Sequence, residues 1–193
     1  MGRKGDAKRQ EILDTAKAML LNGGVEAFVL RDVAERLGIT HGNLQYYFRT
    51  RQDLLVAIFD QELAKYTGSL QEAVAATTTR RGRLAAIIDA GLTELRSPDT
   101  ALWRMVMSMA DHSPDMAALL KKENDLYEAV VAKELKQIAP NLSPQRRRHI
   151  AKIIHAFLDG LGIQFVHEDP NSADMRALES EIKAAIFALV DAE

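Results

Sequence analysis

Leu30-Arg31-Asp32-Val33-Ala34-Glu35-Arg36-Leu37-Gly38-Ile39-Thr40-His41-Gly42-Asn43-Leu44-Gln45-Tyr46-Tyr47-Phe48 decides the fold. Leu30, Val33, Ala34 and Leu37 recur at three- and four-residue spacing, the inner stripe of a short helix that Gly38 ends. Thr40 is placed to cap a second short helix in which Leu44, Tyr47 and Phe48 turn inward. With Leu44 on the buried side, about 100° per residue puts Gly42, Asn43, Gln45 and Tyr46 on the outer arc. A helix with that surface, braced by a partner helix, is suited to the major groove of DNA.

Helical periodicity extends outward in both directions. Ile12, Leu13, Ala16, Met19 and Leu20 line a preceding helix that stops at Asn22-Gly23-Gly24. Thr50-Arg51-Gln52-Asp53 resembles a capping box and opens a long fourth helix carrying Leu54, Leu55, Ile58, Phe59, Leu63, Tyr66, Leu70 and Val74. A Thr-rich break follows at Thr77–Thr79. Ser97-Pro98, Ser113-Pro114 and Ser143-Pro144 each set a capping hydroxyl before a proline suited to the first helical position. With Asn171-Ser172 they divide the remainder into about five helices. No convincing alternating strand appears, so the expected fold is all-α with about nine helices. Residues 1–51 are expected to form a three-helix helix-turn-helix DNA-binding domain, and 52–193 a second helical domain, to which the resemblance described below gives effector binding and dimerisation.

Composition agrees with a globular helical protein: 47% hydrophobic, 27% charged and 6% aromatic residues in a chain of 193. The absence of cysteine excludes disulfides, thiolate metal sites and cysteine catalysis, and fits a reducing cytoplasm. No secretory signal or membrane span is read in the sequence. Met1-Gly2-Arg3-Lys4-Gly5-Asp6 begins like a myristoylation signal, but Asp6 stands where Ser or Thr is required. The net charge of −2 is unevenly spread, with +3 through Arg51 and −5 beyond it. Phosphate contacts are therefore expected near the N-terminus, from Arg31, Arg49 and Arg51 and from a short basic arm, Arg3-Lys4.

The order of residues adds a resemblance. Arg31-Asp32-Val33-Ala34, Leu37-Gly38-Ile39-Thr40, Gly42-Asn43-Leu44, Tyr47-Phe48 and Asp53-Leu54-Leu55 resemble the signature of the TetR family of bacterial transcriptional repressors, over about residues 8–58. Two departures stand out. Val29 replaces the usual Ser or Thr that caps the second helix. Gln45 replaces a Tyr whose hydroxyl commonly meets a phosphate, which suggests that Tyr46 takes that contact and Gln45 reads a base. Asn and Gln can each bond an adenine edge bidentately. The candidate DNA-binding set is Arg31, Thr40, His41, Gly42, Asn43, Gln45, Tyr46, Tyr47, Arg49 and Arg51.

The resemblance also implies a protomer that dimerises through its last two long helices and holds an effector among helices four to eight. The apolar stripes of those last helices offer Ile154, Phe157, Leu158, Leu161, Phe165, Ile182 and Ile186 as interface candidates, with Gly160 and Gly162 allowing close approach. Effector candidates are Tyr66, Trp103, Met107, Asp111, Tyr127, His155 and Asp159. Trp103 is read either as pocket wall or as part of a core or interface. Met105, Met107 and Met109 cannot share one helix face. His155 and Asp159, at i and i+4, form either a local pair or a polar grip on a ligand. No metal or cofactor is expected, because the chain has neither cysteine nor an HExxH pattern.

The expected function is a ligand-responsive homodimeric repressor released from a palindromic double-stranded DNA operator by a small-molecule effector. A helical small-molecule-binding or scaffold protein acting on DNA only through a partner is the alternative. An enzyme is not expected, since no G-x-S-x-G, P-loop or paired acid–base constellation stands out.

Overall fold

The computed structural model describes residues 3–26 and 28–191, with side chains from Lys4 onward. Met1 and Gly2 of the myristoylation-like start, and the Arg3 side chain, lie outside the described residues. Among those residues the chain forms α1 (Arg3–Gly23), α2 (Leu30–Arg36), α3 (His41–Tyr47), α4 (Arg51–Ala75), α5 (Arg80–Leu95), α6 (Thr100–Ala110), α7 (Pro114–Ile138), α8 (Pro144–Gln164) and α9 (Ala173–Asp191). The fold is all-α. Lys4 is an exposed residue of the first turn of α1, so the expected basic arm begins as helix.

Local chemistry accounts for the boundaries. Gly24 and Gly38 take left-handed φ values of 72° and 62°, closing α1 and α2 in a region costly for any residue with a Cβ. Ile39 N–H then donates back to Ala34 O at 3.0 Å. Thr40 Oγ1 accepts from Asn43 N–H at 3.1 Å, capping α3. The capping box at α4 is reciprocal: Asp53 N–H donates to Thr50 Oγ1 and Thr50 N–H to Asp53 Oδ2, each at 3.0 Å. Ser143 and Ser172 cap α8 and α9 by accepting from Arg146 N–H and Met175 N–H, both at 3.1 Å. Val29, at the N-cap of α2, supplies no side-chain bond. Ser97 departs from its expected role. It accepts from Asp99 N–H at 3.2 Å inside a turn, and α6 begins only at Thr100, because Ser97-Pro98 folds into that turn rather than a first helical turn.

The chain packs as two compact units, Met1–Ala64 with Ala101–Lys121, and Lys65–Thr100 with Lys122–Glu193. The first is built on Ile12, Leu13, Ala16, Leu20, Val33 and Leu44, together with Leu54, Leu55, Ile58 and Phe59 of α4. Leu102 and Val106 of α6 and Met116 and Leu119 of α7 complete it. The compact unit therefore reaches well beyond residue 51, because the apolar stripe that opens α4 is buried against α1–α3 rather than starting a new core. An ion pair between Lys17 and Glu62, at 2.8 Å and largely buried, ties α1 to α4.

The second unit has its own core, with Leu70, Leu84, Ile87, Ile88, Tyr127, Val131, Leu135, Ile150, Ile154, Leu158 and Ile186. α5 and α8 approach closely at Gly91, where an added Cβ would lie 2.3 Å from Leu158 Cδ1. Gly162 likewise faces Leu95, whereas Gly160 faces open space and makes no close approach. Arg83–Glu134 at 2.9 Å, Lys183–Asp89 at 2.6 Å and Arg96–Glu179 tie α5 to α7 and α9.

Candidate nucleic-acid interface and inner acid–aromatic cluster

α3 presents what its sequence pattern predicts. Leu44 is fully buried, while His41, Gly42, Asn43, Gln45 and Tyr46 are exposed, Tyr46 at 73%. Tyr47 is half-buried against the core, and its ring meets Tyr46 edge-on at 5.2 Å, bracing the outer phenol. Nothing lies within 4 Å of a Cβ added at Gly42, so the backbone there is bare toward any ligand. Arg31 and Arg49 are exposed on the flanks. Arg9 lies over the Phe48 ring at 5.0 Å, a cation–π contact that sequence reasoning did not single out.

Arg51 does not join this surface. Its Nε donates to Phe28 O at 2.7 Å, its Nη2 donates to Val25 O, and its guanidinium stands 6.0 Å from the Phe28 ring. The Phe28 carbonyl takes the Arg51 Nε–H, and the Val25 carbonyl takes the Nη2–H in addition to the Phe28 backbone N–H at 3.2 Å. It is a structural clamp.

In the second unit, α4, α7 and α8 bring four of the expected effector residues together. Tyr66 stacks on Tyr127 with centroids 6.3 Å apart and planes 7° apart, and Tyr127 stacks on His155 at 4.3 Å and 23°. His155 Nε2 lies 3.3 Å from Glu123 Oε1 and 3.6 Å from Asp159 Oδ2. Glu123 is the residue the sequence reading missed. It is buried at 7% exposure, and its signal is the i, i+4 spacing to Tyr127, which places both on one face of α7. The Tyr127 hydroxyl is buried with no hydrogen-bond partner.

The electrostatics follow from burial and crowding. Burial presses His155 toward its neutral form. The hydrogen bond to Glu123 and the charges of Glu123, Asp159 and Glu128 together outweigh it, holding the pKa above the ordinary 6.5. Asp159 is raised by burial, against the pull of His155 and with the push of Glu123. Tyr66 and Tyr127 are raised mainly by burial; for Tyr127 the neighbouring Tyr66 and Glu123 add to it, and for Tyr66 Glu123 and Glu94. The cluster brings two stacked phenols, the His155 imidazole and the carboxylates of Glu123 and Asp159 together within the second unit. Among the described residues no group of three or more His, Asp or Glu side chains is arranged to hold a metal ion.

Residues 12–58 match the family described as bacterial regulatory proteins of the tetR type, and residues 80–188 match the BetI-type transcriptional repressor C-terminal family. The chain belongs to the TetR family. It is a DNA-binding transcriptional regulator with a helix-turn-helix domain and a ligand-binding domain, not an enzyme. The HTH-type transcriptional regulator BetI of Burkholderia thailandensis is 26% identical over 163 residues, covering 82% of each chain. A TetR transcription regulator from Haloarcula marismortui superposes with a TM-score of 0.78 at 16% identity, covering 97% of this chain and 98% of that one. A candidate transcriptional regulator from Saccharomonospora viridis, solved in complex with choline, superposes at 0.77 with 18% identity and 96% of each chain covered.

Three of this TetR-family chain's expected effector residues lie elsewhere. Trp103 is half-buried against the first unit's core, its ring 6.4 Å from Phe59, and is not part of the acid–aromatic cluster of the second unit. Met105 and Met109 pack on that same core, while Met107, on another face of α6, is half-buried. Asp111 is exposed in the turn after α6, where no wall encloses it. The dimer candidates also divide. Ile154, Leu158, Leu161 and Ile186 are buried in the second unit's own core, because the inward-facing stripes of α8 and α9 are satisfied within the chain. Ile182 is partly buried against that core. Phe157 and Phe165 remain exposed at 38% and 40%, joined by Ile163 and Val166, which the sequence reading passed over. No helix of the described residues is long and apolar enough to cross a membrane.

Proposed function

We propose that the chain is a homodimeric repressor that holds a palindromic operator and releases it when a small cationic effector enters the acid–aromatic cluster. The observation that carries the DNA-binding half is the exposed arc of α3, His41, Asn43, Gln45 and Tyr46, set on the buried Leu44. Asn43 and Gln45 read base edges, Tyr46 with Arg31 and Arg49 meets phosphates, and Thr40 fixes the start of the reading helix. Two such heads related by a two-fold axis suit half-sites about one helical turn apart, roughly 34–36 Å. The exposed Phe157, Ile163, Phe165 and Val166 supply the surface for a second copy. Residues 1–51 provide the reading head, and 52–193 the effector and dimer functions. The protein works on chromosomal DNA in the cytoplasm.

A cationic effector is favoured by the cluster itself. Stacked phenol faces beside two carboxylates are the chemistry that recognises an ammonium group. The choline held by the structurally similar S. viridis protein supports the same class.

The test is fluorescence anisotropy on a labelled fragment of the DNA upstream of the protein's own coding region. Specific binding that weakens steeply with salt, and is reversed by choline at constant ionic strength, is the expected result. Affinity equal to that for scrambled DNA would refute operator recognition.

A further inference from the structure

We infer that His155 is a built-in occupant of the cation site: the proton on its imidazole and a cationic effector compete for the same two carboxylates, so effector binding expels that proton. The inference rests on the cationic-effector reading above and adds to it how the site is regulated.

His155 occupies the position a small ammonium ion would take. One face lies 4.3 Å from the Tyr127 ring, and its Nε2 edge points at Glu123 Oε1 and Asp159 Oδ2, at 3.3 and 3.6 Å. An aromatic face on one side and carboxylate oxygens on the other is the set of contacts that binds an organic cation. Glu123 and His155 are 7% and 8% exposed, so water screens that pair little, whereas the Asp159 side chain, 37% exposed, opens toward solvent. The Tyr127 hydroxyl, buried and without a partner, is left for a ligand that carries an oxygen next to its cationic centre.

The charges facing His155 come from each packed element. α7 contributes Glu123 and Glu128, and α8 contributes Asp159. Lys152 of α8 sits 3.7 Å from Glu128 and offsets part of its charge. Tyr66 of α4 and Tyr127 of α7 stay neutral, their ionisation opposed first by burial and then by Glu123 and Asp159, with Glu94 of α5 adding to it for Tyr66. Glu123, Asp159 and a protonated His155 sum to one negative charge. A second cation could share the two carboxylates only by facing the imidazolium at close range in a poorly screened site, a strongly unfavourable placement. Loss of the proton to solvent removes that repulsion, and the neutral imidazole, no longer held by charge, turns away from the carboxylates and yields its place beside the Tyr127 ring to the ligand. The acids raise the His155 pKa above its ordinary 6.5, so the imidazole holds its proton more firmly than a free one until a competing cation arrives.

The experiment is calorimetric titration of the full chain with choline chloride, from ~pH 6 to ~pH 8, in pairs of buffers with different ionisation heats. Tetramethylammonium serves as a second probe. The expected result is net release of up to one proton per choline at the acidic end, with affinity falling by up to about tenfold per pH unit below the His155 pKa. His155→Gln should bind choline with no proton release and with the pH slope flattened. Histidine NMR on the unmodified chain gives an independent readout: saturating choline should lower the His155 titration midpoint. Choline binding without proton release and with an unmoved His155 midpoint would overturn the exchange and leave the cation site standing. No binding of either cation at any pH would overturn both.

Discussion

Arg51→Met separates a clamp from a phosphate contact. The substitution keeps most of the aliphatic stem and removes the guanidinium, so the Phe28 carbonyl loses the Nε donor, the Val25 carbonyl keeps only the Phe28 N–H, and the Phe28 ring loses its cation–π neighbour. A hydrogen bond from a charged donor is worth about 1.5–3 kcal/mol. The Arg51 side chain is half-buried, so water recovers part of each, and the pair together should contribute about 2–4 kcal/mol. With a urea slope of about 2 kcal/mol/M, that lowers the midpoint for the first unit by roughly 1–2 M. Hydrogen exchange of the α2 and α3 amides assigns the loss to that unit. Salt dependence of operator binding gives the opposing measurement, since each phosphate contact contributes about 0.9 to the slope of log affinity against log salt. The expected outcome is marked destabilisation with the slope unchanged at temperatures where the variant remains folded. A slope reduced by about 0.9 with stability intact would show that the side chain reaches DNA, and the clamp assignment would be wrong.

Gln45→Ala should lose about 1–3 kcal/mol of discrimination at one base pair per half-site while binding to non-specific DNA is kept; a uniform loss across all sequences in a competition assay would contradict base reading. Leu44→Ala, at a fully buried position, should cost about 2–5 kcal/mol and abolish operator binding through loss of the head, as thermal melts and anisotropy together would show. Phe157→Glu with Phe165→Glu should shift sedimentation toward monomer without unfolding the second unit, because both rings lie outside its core; an unchanged dimer would move the interface elsewhere. For pH, His155 has a raised folded pKa, so its stabilisation is complete below ~6.5 and is lost as pH rises through the folded value. The second unit should therefore melt at progressively lower temperature across that window, with His155→Gln flattening the trend.

The reading head was legible because its chemistry is local. Leu44, Thr40, Gly38 and the Thr50–Asp53 box act within four residues of their partners, so spacing alone determines which side is buried and where each helix begins. The second unit was legible only as helices. Ile154 and Phe157 look equivalent in an apolar stripe, yet one is spent inside the chain and the other is exposed. The difference depends on where α5 and α9 pack, which no short-range pattern encodes. Glu123 was missed for the same reason, since an acid in the charged run Lys121-Lys122-Glu123-Asn124-Asp125 on a long helix reads as solvated until α8 delivers His155 to it. Trp103 was ambiguous because an aromatic serves core and pocket alike, and only Phe59, distant in sequence, shows which unit it packs against.

The first unit's discontinuous build has a consequence for how such regulators can be recombined. Its core closes only when Leu102, Val106, Met116 and Leu119 arrive from a segment that follows α5. A fragment cut at residue 51 would strip Leu54, Leu55, Ile58 and Phe59 of their cover and leave the remainder carrying an adhesive apolar face. A chimera that exchanges reading heads between two family members should therefore carry residues 101–121 with the head, or repack that seam by selection. Effector specificity can be transplanted cleanly only through residues 65–100 and 122–191, and the boundary for exchange is spatial rather than a single point along the chain.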